Sequence, residues 1–249
     1  MYASFADFYD TIFPCSPTAL ELIQGFSSPT SRILELGCGT GALLKNVKAQ
    51  RAVGLDIEPA LIAKAKAHKD AHGAGPTQKA TALEGGTTTL ERPEFICAEL
   101  LDFGPSQPEA SFELVFSLGN VVSHLEPQHF IKWLEEIHRL LVPGGRWIFH
   151  VIYWDDILNQ TQYNYPPLKR GEYIFNRSYG DISEQSLSFQ SCLTQGERTV
   201  FEQKQILVPH RFAFLMQIHH RFNNLSVWAD YAKNPQGGIS RVVVMQRAG

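Results

Sequence analysis

From Arg32 onward the chain repeats one unit: a short apolar run, a turn, then apolar residues at helical spacing. Arg32-Ile33-Leu34-Glu35-Leu36 predicts a buried strand that ends in a turn with glycine at 37, 39 and 41. Leu43, Leu44 and Val47 supply a helical stripe after it, and Ala52-Val53-Gly54-Leu55-Asp56 predicts a second strand. Pro59 opens a helix running through about Lys69. Phe95–Ala98 and Phe112–Ser117 read as a third and a fourth strand. Phe130, Leu134, Ile137 and Leu141 fall on one helical face, which stops at Pro143-Gly144-Gly145, and Arg146–Val151 is a fifth strand. Strands alternating with helices imply right-handed crossovers and a mainly parallel, doubly wound α/β sheet.

The two ends break the rhythm. Phe5–Phe26 is interrupted by Pro14 and Pro17, which predicts two short helical pieces forming an N-terminal cap over residues 1–30. Tyr173–Tyr179, Leu187–Leu193 and Val200–Val208 are strand-like with no helices between them, which predicts an antiparallel addition after strand five. A helix around Phe212–Phe222 and strands at Ser226–Ala229 and Ser240–Gln246 then close the sheet with an antiparallel hairpin. Residues 70–92, rich in Gly, Thr and Ala, read as a surface excursion. Neither a repeat nor a linker divides the 249 residues, so a single domain, 1–249, is expected, with residues 160–210 as an inserted lid.

Composition narrows the class. With 44% hydrophobic and 19% charged residues the chain is ordinary globular material, and a net charge of −3 gives no footprint for nucleic acid. An apolar run near the roughly 20 residues of a membrane span is lacking, and the N-terminus has no basic start. Cys15, Cys38, Cys97 and Cys192 are scattered, as in a reducing compartment, so the expected location is the cytoplasm. His219 and His220 are adjacent on a predicted helix and point apart, and no metal is expected.

Between a strand and a helix, glycines allow positive φ and let backbone N–H groups approach a ligand. Gly37-x-Gly39-x-x-Ala42 satisfies the loose dinucleotide fingerprint, and Asp56 stands where a carboxylate can take both ribose hydroxyls of a dinucleotide or of another nucleoside ligand. Glu35 helps to separate them: a carboxylate two residues before the first glycine repels a pyrophosphate and suits a ligand bearing an ammonium group.

Glu35-Leu36-Gly37-Cys38-Gly39-Thr40-Gly41 resembles the first motif of class I S-adenosylmethionine-dependent methyltransferases. Gly54-Leu55-Asp56-Ile57 resembles their second motif, Cys97-Ala98-Glu99-Leu100-Leu101-Asp102-Phe103 their third, and Leu141-Val142-Pro143-Gly144-Gly145 their turn before strand five. The resemblance implies a seven-stranded, mainly parallel, Rossmann-like sheet and S-adenosyl-L-methionine as cofactor. It implies cofactor contacts from Glu35, Gly37, Cys38, Gly39, Gly41, Asp56, Ile57, Glu99, Leu100, Ser117 and Asn120, with Glu99 near the adenine amino group and Leu100 offering a backbone N–H.

Val115-Phe116-Ser117-Leu118-Gly119-Asn120-Val121-Val122-Ser123-His124-Leu125 is similar to a stretch of glycine N-methyltransferase and related small-molecule N-methyltransferases. Tyr153–Leu158, Gly171–Ser178 and Ala229–Pro235 resemble further segments of that group, and Phe8-Tyr9-Asp10 resembles the opening of sugar-amine N-methyltransferases. Where the glycine enzyme clamps a substrate carboxylate with arginine, this chain has Ile152, and the paired tyrosines of the next strand fall on Phe175 and Asn176. Glycine is therefore not the expected acceptor.

The expected activity is methyl transfer to a small molecule, most simply at an amine nitrogen. An O-methyltransferase, or a cofactor-binding protein without catalysis, are the alternatives. Tyr9, Asn120 and His124 are the candidate catalytic residues. Tyr163, Tyr165, Tyr173, Phe175, Phe189 and Phe201 offer an aromatic face for an apolar acceptor pocket or for a homodimer contact, with at least half of them expected to form a hydrophobic core beneath the added sheet.

Overall fold

The computed structural model describes residues 3–71, 79–81, 87–89, 91–217 and 222–249. Most of the 70–92 excursion, together with His219 and His220, lies outside the described residues. In chain order the helices are α1 (Tyr9–Ile12), α2 (Pro17–Gln24), α3 (Pro59–Ala71), α4 (Leu100–Phe103), α5 (Pro127–Leu140) and α6 (Phe212–Gln217). The strands of the main sheet are β1 (Arg32–Leu36), β2 (Arg51–Asp56), β5 (Glu94–Cys97), β6 (Phe112–Ser117), β7 (Leu141–Ile152), β13 (Phe222–Trp228) and β14 (Ser240–Arg247). A small hairpin, β3 (Lys79–Thr81) and β4 (Thr87–Thr89), stands apart from it. The antiparallel addition comprises β8 (Tyr163–Asn164), β9 (Leu168–Arg170), β10 (Tyr173–Gly180), β11 (Leu187–Gln195) and β12 (Arg198–Leu207).

The main sheet runs β13-β14-β7-β6-β1-β2-β5, with β14 antiparallel to both its neighbours. Its strands are apolar at consecutive positions because both faces are covered. On one face Leu34, Val53, Val115 and Phe149 meet Leu100 of α4, Phe130, Leu134 and Ile137 of α5, and Leu215 of α6. On the other, Ile33, Ala52, Phe116 and Ile148 meet Leu22 and Ile23 of α2 and Ile62 and Ala65 of α3. The chain is thus the expected α/β fold with an antiparallel addition after the fifth strand. No helix among the described residues is long and apolar enough to cross a membrane.

Two local expectations are corrected. The helical stripe after the glycine turn is only a 3-10 turn, Leu44–Asn46. Val47 is already extended, and the chain must return to pair at Arg51, so no α-helix fits between. The helix expected to include Leu141 ends at Leu140, because Leu141 begins β7 and pairs with Phe112 of β6.

The N-terminal segment and the antiparallel sheet pack on each other. Phe5 and Ile12 share a small core with Phe175, Leu193 and Phe201, and the Phe5 and Phe175 rings stack at 5.2 Å. A second small core, containing Ile152, Trp154, Tyr179, Leu187 and Leu207, ties the addition to the end of β7. Between these two anchors the addition faces the carboxyl ends of the parallel strands.

Candidate functional site

The chain runs outward from β1 through β2 and β5, then crosses back to β6 on the other side of β1, so the loops after β1 and β6 part and leave a crevice at the strand ends. A cleft of about 670 Å³ occupies that place. Gly37, Asp56, Ile57, Glu99, Leu100 and Asn120 line it, as do Tyr9 and His124. Glu35, Cys38, Gly39, Gly41 and Ser117 stand behind this lining: Glu35, Cys38 and Ser117 are buried, and Gly39 is covered by the Tyr9 ring.

The glycine turn is fixed from several sides. Gly37 N–H and Cys38 N–H both donate to the Leu55 carbonyl, at 2.8 and 2.9 Å. Gly39 N–H donates to Asp56 Oδ2 at 2.8 Å, while Asp56 Oδ1 accepts from Glu58 N–H at 2.9 Å. Asp56 therefore holds both its own loop and the glycine turn. Burial raises its pKa, against the pull of these backbone donors. The Thr40 hydroxyl donates to Asp10 of α1, and Lys45 Nζ donates to the Thr40 carbonyl at 2.7 Å, which fastens the N-terminal segment onto the turn. Since only a 3-10 turn follows, no helix N-terminus stands behind the glycines to favour a pyrophosphate.

Ile57, beside Asp56, is 65% exposed although it lines the cleft. A bare aliphatic side chain next to a carboxylate at a strand end matches an adenosine: an apolar face for the base and an acceptor for the ribose hydroxyls. Glu99 is more heavily used than its sequence position suggests. Its Oε2 caps α4 by accepting Leu101 N–H at 2.7 Å, and its Oε1 accepts from Trp133 Nε1 and lies 3.3 Å from His129 Nε2.

Glu35 is buried and its Oε2 has no hydrogen-bond partner. Burial, and secondarily the charge of Asp56, raise its pKa well above the ordinary carboxylate value. The folded state therefore binds this proton more tightly than the unfolded chain. Stability from this group is full below the unfolded pKa of about 4.3 and is lost as pH rises toward the folded one. Glu35→Gln should accordingly be more stable than the parent by about 1–3 kcal/mol at pH 8, with the gain shrinking toward pH 5. Urea unfolding at both pH values measures this, and an equal difference at both would contradict it.

Gly119 and Asn120 both take positive φ, 77° and 64°, and turn the chain sharply after β6. Asn120 Oδ1 accepts from Ser123 Oγ at 2.8 Å and from Ile152 N–H at 3.2 Å, so its side chain ties the loops after β6 and β7 together. His124 is exposed at the mouth of the cleft, and surrounding protein lowers its pKa by desolvation.

The other half of the cleft is lined from β7 and the addition. Of the expected aromatics, Tyr165, Phe175 and Phe189 line it, whereas Tyr163, Tyr173 and Phe201 do not. The sequence reading missed Tyr179, His150, Gln205 and Arg177, which also line it. His150 is half-buried, its Nδ1 is sealed from solvent without a partner, and desolvation draws its pKa down to about 4, so the imidazole is neutral. Its ring lies 5.5 Å from that of Tyr231, whose pKa burial pushes up to about 12. The signal for Arg177 was its place two residues after Phe175 and two before Tyr179, on the same face of β10.

Residues 34–147 match the family described as a methyltransferase domain. Among solved structures, the chain superposes on an S-adenosylmethionine-dependent methyltransferase from Clostridium acetobutylicum with a TM-score of 0.72 at 16% identity, over 100% of this chain and 99% of that one. It matches the CcbJ methyltransferase from Streptomyces caelestis with a TM-score of 0.73 at 15% identity, over 100% and 98%. An amino pentose methyltransferase from Micromonospora echinaspora, solved with S-adenosylmethionine bound, gives a TM-score of 0.62 at 14% identity, over 92% and 88%. Residues 34–147 thus match a methyltransferase domain, and the chain as a whole has the Rossmann-like fold of S-adenosylmethionine-dependent methyltransferases.

Proposed function

We propose that the protein methylates an amine nitrogen of a small molecule held between the ends of β6 and β7 and the antiparallel addition. One observation carries this reading: the carboxylates lining the cleft, Asp56, Glu58 and Glu99, all lie on the β2 and β5 side, and none lies among the lining residues of the addition. A hydroxyl acceptor needs a base to take its proton during attack, and desolvation lowers the pKa of both histidines that line the cleft, His124 and His150 (the latter to about 4), which weakens each as a base. A neutral amine brings its own lone pair. Two of the structural relatives support the reading by what they are: the amino pentose methyltransferase and a sugar N-methyltransferase from Streptoalloteichus, the latter with a TM-score of 0.59 at 15% identity.

In this reading Asp56 accepts the ribose hydroxyls, Ile57 covers one face of the adenine, and the backbone at Gly37 and Asn120 borders the methionine end. Glu99, engaged by Trp133 and Leu101, positions α4 so that Leu100 N–H meets the adenine edge. Bound S-adenosylmethionine supplies an electrophilic methyl group on a sulfonium. The chain's task is then to aim the acceptor nitrogen and exclude water, and such positioning is worth on the order of 7–11 kcal/mol. Tyr9 on one side and the addition on the other form the lid that does so.

The test has two stages. S-adenosylhomocysteine at 100 times its dissociation constant should stabilise the protein by about 2.7 kcal/mol, and NAD should not. A panel of small amines and matched alcohols is then assayed for S-adenosylhomocysteine release. Turnover confined to the alcohols would overturn the N-methyl assignment.

A further inference from the structure

The addition places a cation in the acceptor half of the cleft without giving it an anion. Arg177 lines the cleft, and its Nε is sealed from solvent with no hydrogen-bond partner. Among the described residues no carboxylate pairs with it. Its guanidinium lies 4.6 Å from the Tyr165 ring centroid and 5.7 Å from that of Phe175. Packing against rings restrains the side chain and leaves its N–H edge as the means of binding. Beside it, the Tyr165 and Tyr179 hydroxyls bond each other at 2.9 Å, and one of the two protons remains for an outside acceptor. A cation that gives up hydration without a partner is costly, and a ligand oxyanion would remove that cost.

We infer that Arg177, with the Tyr165–Tyr179 hydroxyl pair, is an anchor for a carboxylate on the methyl acceptor. The inference rests on the proposed methylation of a small amine and names the class: an amine that also carries a carboxylate, with apolar surface to meet Phe175 and Phe189. The planar, forked guanidinium matches a carboxylate in two parallel hydrogen bonds. Because Ile152 cannot form such a pair, the clamp comes from β10 rather than from the end of β7. The anchored group would then sit against the addition, and its distance to the amine would fix which nitrogen reaches the methyl group.

The test uses the full chain saturated with S-adenosylhomocysteine, and titrates phenylacetate, 3-phenylpropionate and indole-3-acetate against their matched carboxamides by calorimetry. At least one carboxylate should bind tenfold or more tightly than its amide. Arg177→Met should erase that preference while leaving S-adenosylhomocysteine affinity unchanged. Arg177→Lys, which keeps the charge but not the fork, should retain only part of it, and it serves if the methionine variant fails to fold. Carboxylates that bind no better than amides, or a preference that survives in both variants, would overturn the anchor. Failure of S-adenosylhomocysteine itself to bind would instead sink the cofactor reading, so the two failures are distinct.

Discussion

Asp56→Ala should weaken S-adenosylhomocysteine binding at least 100-fold. The carboxylate has two duties, and alanine ends both. Within the protein it accepts Gly39 N–H and Glu58 N–H, at 2.8 and 2.9 Å, and so fixes the turns on either side of the nucleoside half of the cleft. In the proposed reading it also offers its remaining lone pairs to the ribose hydroxyls of the ligand. Hydrogen bonds to a charged acceptor are worth about 1.5–3 kcal/mol each, so losing the ribose contacts alone approaches the roughly 2.7 kcal/mol that 100-fold represents. Loosening of the Gly39 turn adds to it. Asp56→Asn separates the duties: one carbonyl oxygen still accepts a backbone N–H, yet the charge and the second acceptor are gone. That variant should fold near the parental stability and bind with an intermediate loss. Calorimetry on the three proteins checks the order, and a near-parental affinity for the alanine variant would remove Asp56 from the cofactor site.

The parallel strands were legible because both of their faces are buried. Ile33–Leu36, Ala52–Leu55 and Leu114–Phe116 need no alternation, and their apolar runs mark strand bounds to within a residue or two. Asp56 was legible for the opposite reason, as a charge at the end of such a run. The same logic failed at the glycine turn, where Leu43, Leu44 and Val47 sit at helical spacing in a segment too short for a helix. It also hid the second use of Glu99. A carboxylate just before a helical turn caps that turn whether or not it also meets a ligand, and only its His129 and Trp133 neighbours, 30 and 34 residues ahead, reveal the demand on it.

Arg177 illustrates a different limit. Its face of β10 follows from alternation with Phe175 and Tyr179, but the existence of a cavity beneath that face depends on how the addition docks onto β7 and the N-terminal segment. That docking is made by side chains from four distant parts of the chain, which no local pattern encodes. His150 was hidden within an apolar run, where a single histidine reads as strand filling until its unpaired Nδ1 is seen at the cleft wall.

Gly37→Ala should destabilise the fold by about 3 kcal/mol, and Val121→Ala should restore part of that loss. Gly37 has φ +73°, a conformation that costs an L-residue about 1–2 kcal/mol. A Cβ placed there would stand 2.6 Å from Val121 Cγ2, well inside contact distance, and 3.4 Å from Cγ1. Val121 follows the Gly119-Asn120 turn, so the clash would force apart the two loops that border the cleft at its centre. Such overpacking typically costs a further 1–3 kcal/mol. Truncating Val121 removes both Cγ atoms and leaves its Cβ at 3.6 Å, an ordinary contact, so the steric part vanishes while the backbone part stays. The four proteins of the double-mutant cycle should therefore show a coupling of about 1–2 kcal/mol, with the double variant more stable than the sum of the single losses predicts. Urea unfolding supplies the four values. Additive losses would mean that the two loops do not meet as described, and that the positive φ alone demands glycine at 37. The same cycle read by S-adenosylhomocysteine affinity carries a second expectation. Binding should recover with stability, because the separation of the loops, rather than the added methyl itself, is what opens the cleft.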